Sequence, residues 1–171
     1  MNIVIIDYGL GNLASLSSAV KEAHKCNLII SYSAKDISAA DKIILPGVGS
    51  FDKAMSNLHN LDLIKVIDSA ANNIPILGIC LGMQILCSSS TEGSFTKGLC
   101  IVDGKFDRFS STKFTVPHIG FNQVNISRPS MLFNNIQNNP DFYFVHSYRM
   151  KSAKNISCHT TNYINNFVSA F

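Results

Sequence analysis

The sequence predicts an α/β protein with a mostly parallel central sheet, helices on both faces of that sheet, and an antiparallel C-terminal portion. In the first half of the chain, apolar strand-like runs alternate with helical segments, which is typical of a parallel sheet buried on both faces. In the second half, the strand-like segments are shorter and Gly, Pro and Asn occupy the turns between them, which favours antiparallel pairing.

The elements of the first half follow from the spacing of apolar residues. Four apolar runs predict strands: NIVIID (2–7), NLIIS (27–31), KIILP (42–46) and IPILGI (74–79), the last read as a buried, central strand. Helical spacing predicts a helix capped by Asn12, and further helices in FDKAMSNL, LIKVIDSAA and LGMQILCSS. In the second half, strands are predicted in GLCIVDGKFDRF, FTVPHIGFNQVNI, FYFVHSYRM and NISCHTTNY.

Composition narrows the class of protein. A chain of 171 residues with 46% hydrophobic and 15% charged residues predicts one globular domain over 1–171. The net charge of +3 comes without a basic run, and no apolar run is long enough to span a membrane, so neither nucleic-acid nor membrane binding is expected. The chain begins with a strand rather than a leader, which favours the cytoplasm.

The five cysteines are scattered without a CxxC pair, so no disulfide framework or metal site is predicted, and most are expected to be buried. Cys80 differs from the others. It lies between Gly78 and Gly82 in a G-x-C-x-G pattern, the thiol version of a nucleophile elbow, directly after a predicted strand. There a helix N-terminus would lower the thiol pKa, and the Leu81 N–H would face the reacting carbonyl. The alternative is a buried cysteine at a glycine-rich turn.

Five segments in order carry a resemblance to a known family: IDYGLGN (6–12), LPGVGSF (45–51), ILGICLGMQ (76–84), PHIGFN (117–122) and YFVHSYR (143–149). They resemble class I, triad-type glutamine amidotransferases, and among these the glutaminase subunits of imidazole glycerol phosphate synthases. The resemblance implies a three-layer, flavodoxin-like domain without a cofactor. It also implies hydrolysis of glutamine through a thioester on Cys80, with the ammonia passing to a (β/α)₈ cyclase partner in histidine biosynthesis.

The resemblance also assigns site residues. The oxyanion hole would consist of Leu81 and a peptide at Gly47 and Val48 that rotates first. The glutamine-binding residues would be Gly49, Gln84, His146, Ser147 and Tyr148. The partner interface would include Asn12, Phe121 and Asn122.

Each of these assignments has an alternative based on the residues alone. The 46–49 segment could be an ordinary turn, Gln84 a surface residue, and His146 or His118 structural. The pattern Gly9-x-Gly11-x-x-Ala14 also fits a dinucleotide fingerprint. No acidic residue ends the second predicted strand, however, so nucleotide binding is not expected.

One family feature is missing. The family carries its general base and orienting acid in a His-x-Glu segment near the C-terminus. This chain has two glutamates, Glu22 and Glu92, and neither follows a histidine at that spacing. Because the strand that bears the pair would follow Phe171, the C-terminal end is expected to be missing. The alternatives are a naturally short, inactive subunit that binds the cyclase, another histidine of this chain acting as base, or a histidine donated by a second chain. An acceptor other than the histidine precursor, such as a surface sugar, also stays open.

Overall fold

The computed structural model describes residues 1–136 and 139–171 and divides them into two compact units, Met1–Ile101 and Val102–Phe171. The single domain over 1–171 therefore stays a prediction. None of the helices in the described residues is both long and apolar enough to cross a membrane.

The N-terminal unit contains a four-stranded sheet whose pairings are all parallel. Its strands are β1 (Asn2–Ile6), β2 (Asn27–Ser31), β3 (Lys42–Leu45) and β4 (Ile76–Gly78), in the order β2-β1-β3-β4. The helices are α1 (Leu13–Ala23), α2 (Ala34–Ser38), α3 (Phe51–Asn60), α4 (Leu63–Ala71) and α5 (Leu81–Ile85). The predicted alternation of strands and helices is thus confirmed, and the Asn12 side chain caps α1 by accepting the Ser15 N–H at 3.2 Å.

Each face of this sheet has its own core, because successive strand residues point to opposite sides. On one face, Val4, Ile6 and Leu45 pack with the buried residues of α2 to α5. On the other face, Ile3, Ile5 and Ile44 pack against the apolar side of α1. Since the strands are parallel, the chain leaves β1, β3 and β4 at the same edge of the sheet, and the candidate site is built there.

Three details of the N-terminal unit differ from the sequence prediction. β4 is an edge strand of the four-stranded sheet rather than a buried central one, and Leu77 on it is 41% exposed. The helix α2 was not predicted. The segment LGMQILCSS is not one helix: α5 ends at Ile85 and strand β5 (Cys87–Ser90) follows, paired with β6 (Thr96–Lys97). Serine side chains compete for backbone hydrogen bonds in a helix, so a serine run favours this ending.

The C-terminal unit is antiparallel, as predicted. Its strands are β7 (Val102–Arg108), β8 (His118–Gln123), β9 (Asp141–His146), β10 (Tyr148–Ala153), β11 (His159–Tyr163) and β12 (Asn165–Ala170). Four of them form a sheet in the order β11-β12-β10-β7, and β8 pairs with β9 in a separate two-stranded sheet. The predicted strand FYFVHSYRM divides at Ser147 into β9 and β10, and a 3-10 turn covers Met131–Phe133.

A pair of histidines lies in the aromatic core of this unit. The His146 Nδ1 lies 2.7 Å from the Tyr148 carbonyl and must carry the proton, so its Nε2 accepts from the His118 Nδ1 at 3.0 Å. The ring of His118 also stacks on Tyr163, with centroids 3.9 Å apart. Burial lowers the pKa of both histidines, and the proximity of His146 helps to bring the pKa of His118 to about 4. Both rings are therefore neutral near pH 7.

We expect the chain to lose stability as the pH falls from about 6.5 to about 4, because the unfolded state then binds protons that the folded histidine pair excludes. The contribution is present above the ordinary histidine pKa and is lost towards the lowered one, and it amounts to about 3 kcal/mol for His118. Urea unfolding at a series of pH values measures it. His118→Gln should flatten the dependence, whereas His24→Gln, at an exposed histidine, should not. Equal slopes for the two variants would contradict the assignment.

Candidate active site

The corner between β4 and α5 holds Cys80 in a backbone conformation that few L-residues adopt. Its φ is 55° and its ψ is −115°, at the position that caps the N-terminus of α5. Positive φ at a residue with a side chain is costly and concentrates at functional sites. The strand-to-helix corner predicted from the G-x-C-x-G pattern is therefore present, with the cysteine at its apex.

The two glycines of the pattern are required by close backbone packing. A Cβ on Gly82 would overlap the Leu45 carbonyl oxygen at the end of β3. A Cβ on Gly78 would lie 2.7 Å from the backbone nitrogen of Met83. The start of α5 thus lies directly against the ends of β3 and β4, which leaves room only for hydrogen at these two positions.

The state of the Cys80 thiol differs from the sequence expectation. The side chain is exposed, as is that of Cys100, and only Cys87 is buried, so the expectation that most cysteines are buried was also wrong. The surrounding atoms desolvate the thiolate and raise the pKa of Cys80. The Leu81 N–H, which points at the sulfur, lowers the pKa by less, and the Glu92 charge raises it further. Desolvation thus outweighs the lowering that was expected from the helix N-terminus.

The loop after β3 contains the other half of the predicted oxyanion hole. Gly47 is buried, and a Cβ on it would lie 2.8 Å from the Leu81 Cβ, so this loop touches the start of α5. Val48 is 56% exposed, and Gly49 has a φ of +112°. Within the described residues, no acceptor takes the N–H of Gly47, Val48 or Gly49. An oxyanion hole requires uncommitted backbone donors, and this loop carries them next to the start of the helix that follows Cys80.

Gln84 follows one helical turn after Cys80, and its backbone N–H donates to the Cys80 carbonyl. Its Oε1 atom is buried and has no hydrogen-bond partner. A buried acceptor without a donor is costly and calls for an explanation. A bound molecule with an N–H group would supply the missing donor.

Two residues of this region were missed by the sequence analysis. Glu92 caps α3, since its Oε2 accepts the Phe51 N–H at 3.0 Å, and its charge acts on Cys80. Burial raises the pKa of Glu92, and Asp52 adds to the increase. Tyr8 is almost completely buried, and its hydroxyl donates to the Pro46 carbonyl at 2.6 Å. Neither contact has a local signal, because the partners lie 38 or more residues apart.

The remaining predicted site residues are distributed over both units. Asn12 belongs to the N-terminal unit, where it caps α1 and is exposed. His146 ends β9, Ser147 forms the bend, and Tyr148 begins β10, all in the C-terminal unit. Phe121 and Asn122 lie on β8 in the same unit. The structure therefore brings together Cys80, Leu81, Gln84 and the 46–49 loop within one unit.

The fold and this corner have the features of a class of enzymes that use a cysteine nucleophile on an α/β sheet. A family model for class I glutamine amidotransferases matches residues 4–168. A crystal structure of a glutamine amidotransferase superimposes with a TM-score of 0.68 at 10% identity, over 89% of this chain and 75% of the other. A putative GMP synthase subunit from Thermoplasma acidophilum gives 0.65 at 15% identity, over 91% and 69%. The chain belongs to the class I glutamine amidotransferase family.

Curated relatives make the assignment more specific. Subunit HisH 2 of imidazole glycerol phosphate synthase from Methanococcus maripaludis is 44% identical, over 98% of this chain and 84% of the relative. Subunit HisH 1 of the same synthase from Parasynechococcus marenigrum is 47% identical, over 85% and 71%. The HisH subunit from Methanocaldococcus jannaschii is 43% identical, over 98% and 83%. Within its family, this chain therefore groups with the HisH subunits, as the resemblance implied.

Proposed function

We propose that this chain is the glutamine amidotransferase subunit of an imidazole glycerol phosphate synthase, with Cys80 as its nucleophile. The observation that carries the proposal is the strained Cys80 corner, packed against a loop whose N–H groups have no acceptor. The similarity to HisH subunits supports the same function.

In the proposed reaction, the Cys80 thiolate attacks the side-chain carbonyl carbon of glutamine. The carbonyl oxygen takes the negative charge, and the N–H groups of Leu81 and of the 47–48 peptide stabilise it. The thiol proton passes to solvent when the thiolate forms, and the amide nitrogen takes a proton from solvent before the tetrahedral intermediate expels it as ammonia. Water hydrolyses the resulting thioester, which releases glutamate and returns the thiol.

Two groups of the N-terminal unit could bind polar groups of the glutamine molecule. Glu92 offers a carboxylate within electrostatic range of Cys80, which would attract the positively charged α-amino group. The Oε1 atom of Gln84 lacks a donor, which a glutamine N–H group would provide. Gly49 in the 46–49 loop, and His146, Ser147 and Tyr148 in the C-terminal unit, remain part of the proposal on the strength of the family resemblance.

An exposed apolar face on the β8–β9 pair supports the proposal that this chain binds a partner subunit. Ile119 lies opposite Val145, and Phe121 lies opposite Tyr143, across the β8–β9 pair. Directly opposite residues share one face of a sheet, and these four side chains are 59% to 77% exposed. A contiguous exposed apolar patch of this kind marks a protein–protein contact.

We propose that this face, together with Asn12, contacts a cyclase of (β/α)₈ type. The ammonia would pass to that cyclase, which would use it to form imidazole glycerol phosphate in histidine biosynthesis. Five free thiols suit the reducing cytoplasm, which is the proposed location. Asn122 lies on the same strand as Phe121, but its side chain makes a hydrogen bond within the C-terminal unit, where it donates to the Asn162 carbonyl.

We expect a chloroketone analogue of glutamine to label Cys80 in preference to the other four thiols. Its carbonyl would occupy the oxyanion site, and the sulfur would displace chloride to form a thioether. Burial raises the pKa of Cys80, so only a minor fraction is thiolate at about pH 8.5. That fraction is replenished as it reacts, so labelling proceeds slowly without a protein base. Peptide mass spectrometry locates the added group, and excess glutamine should protect Cys80.

Cys100 provides a matched control, because it too is exposed and free. Cys80→Ala should abolish labelling by the chloroketone, and Cys100→Ala should leave it unchanged. Iodoacetamide, which lacks the α-amino and α-carboxylate groups of glutamine, should reach both cysteines. Equal labelling of Cys80 and Cys100 by the chloroketone, or labelling that glutamine does not reduce, would contradict the proposed function.

A further inference from the structure

Tyr8 contacts the 46–49 loop, which would form half of the oxyanion hole, but it is not part of that loop. It follows β1, is 1% exposed, and packs in the core between the sheet and α2 to α5. Its backbone is also held, since the Asn57 Nδ2 donates to the Tyr8 carbonyl at 2.9 Å. The ring therefore has a fixed position from which its hydroxyl reaches the end of β3.

The Tyr8 hydroxyl fixes one peptide of the loop. It donates to the Pro46 carbonyl at 2.6 Å, and it would lie 2.5 Å from a Cβ on Gly47. Because a peptide group is planar, holding the Pro46 carbonyl also fixes the direction of the Gly47 N–H. A buried, short O–H···O bond leaves this plane little freedom to rotate.

The peptides that follow have no comparable anchor. Among the described residues, nothing accepts the N–H groups of Val48 and Gly49, and Val48 is largely exposed. The loop thus has a fixed peptide at 46–47 and an uncommitted one at 47–48. Rotation of the second peptide about Gly47 would leave the first in place, because Gly47 lacks the Cβ that would restrict it.

We propose that Tyr8 is a positioning residue for the oxyanion hole: its hydroxyl holds the Pro46–Gly47 peptide so that the Gly47–Val48 N–H can turn towards the carbonyl oxygen bound at Cys80. This inference rests on the proposed function and adds a role for a residue outside the site. The hydroxyl hydrogen is committed to Pro46, so Tyr8 itself gives no proton to the substrate.

The test compares two labelling reagents on the whole chain, in the wild type, Tyr8→Phe and Tyr32→Phe. A chloroketone analogue of glutamine places negative charge on its carbonyl oxygen in the hemithioketal that precedes loss of chloride, so its rate depends on the oxyanion hole. Iodoacetamide alkylates the same sulfur by direct displacement and develops no oxyanion. Tyr8→Phe keeps the ring that packs in the core, and Tyr32 is an exposed tyrosine that serves as the control.

We expect Tyr8→Phe to slow the maximal rate of Cys80 labelling by the chloroketone about 10-fold or more, since a lost oxyanion donor costs roughly 10²- to 10³-fold. The concentration that gives half the maximal rate should change less than about two-fold, because ground-state binding is kept. The iodoacetamide rate, and both rates for Tyr32→Phe, should match the wild type.

Chloroketone and iodoacetamide rates that fall together in Tyr8→Phe would indicate a general disturbance of the thiol and would overturn the inference. Wild-type chloroketone kinetics in Tyr8→Phe would overturn it as well, while the proposed function would stand. If the wild-type chain showed no glutamine-protected labelling of Cys80, both the proposed function and this inference would fail.

Discussion

Mixed with the proposed cyclase partner, the partner's ligand and glutamine, the 171-residue chain is expected to release glutamate at least about 10⁴-fold more slowly than a subunit that carries a His-x-Glu segment. The reason lies in the sequence. In the proposed mechanism, Cys80 is the nucleophile and Leu81 and the 46–49 loop form the oxyanion hole, but no histidine in the sequence is followed two positions later by a glutamate. Without that base, no protein group helps to deprotonate Cys80, whose pKa is raised, and the departing amide nitrogen receives its proton only from solvent.

The internal histidine pair is poorly suited to replace the missing base. The His146 Nδ1 donates to a backbone carbonyl and its Nε2 accepts from His118, so both ring nitrogens are engaged. The low pKa of His118, about 4, would also make it a weak base.

A chain extended after Phe171 by a His-x-Glu segment of the kind the family carries is the positive control. It should release glutamate when the cyclase is present, and Cys80→Ala in the extended chain should abolish that release. Ammonia-dependent cyclisation by the partner should continue in either case. Turnover by the 171-residue chain comparable to that of the extended chain would contradict the expectation. It would direct attention to His146 and His118 as the next positions to substitute.

The N-terminal unit could be predicted from sequence because its signals are local. Apolar runs and helical spacing defined β1 to β3, α1, α3 and α4 with small errors at the ends. The G-x-C-x-G pattern located the corner, because glycine at both positions reflects a backbone contact that does not depend on distant side chains. The edge position of β4 could not be predicted, since the order of strands depends on pairings between distant segments.

The electrostatics of the site were the least predictable part. The lowered pKa that was expected for Cys80 rested only on the helix N-terminus that follows the cysteine. Desolvation and the Glu92 charge come from residues brought near by folding, and they reverse the direction of the shift. Tyr8 was part of a segment singled out for its glycines, but its contact with Pro46 spans 38 positions. Such contacts leave no periodic trace in the chain.

We expect Gly82→Ala to prevent stable folding, which is the largest stability effect that the structure predicts. The added Cβ would overlap the Leu45 carbonyl oxygen and crowd that of Pro46, and both groups belong to the backbone. The Leu45 carbonyl also accepts the Ile79 N–H at 3.0 Å, so moving it away would disturb the pairing of β3 with β4. Forced overpacking costs about 1–3 kcal/mol and more when backbone must shift, against a typical total of about 5–15 kcal/mol.

Gly120→Ala is the matched control, because Gly120 combines a φ of +137° with open space around the position of a Cβ. Its cost should be limited to backbone strain, about 1–3 kcal/mol. Urea unfolding followed by circular dichroism, together with the yield of soluble protein, compares the two variants. Gly82→Ala should be insoluble or should lose its cooperative transition, whereas Gly120→Ala should retain one. A transition midpoint for Gly82→Ala at or above that of Gly120→Ala would show that α5 can move away from β3, and would remove the steric basis for the Cys80 corner.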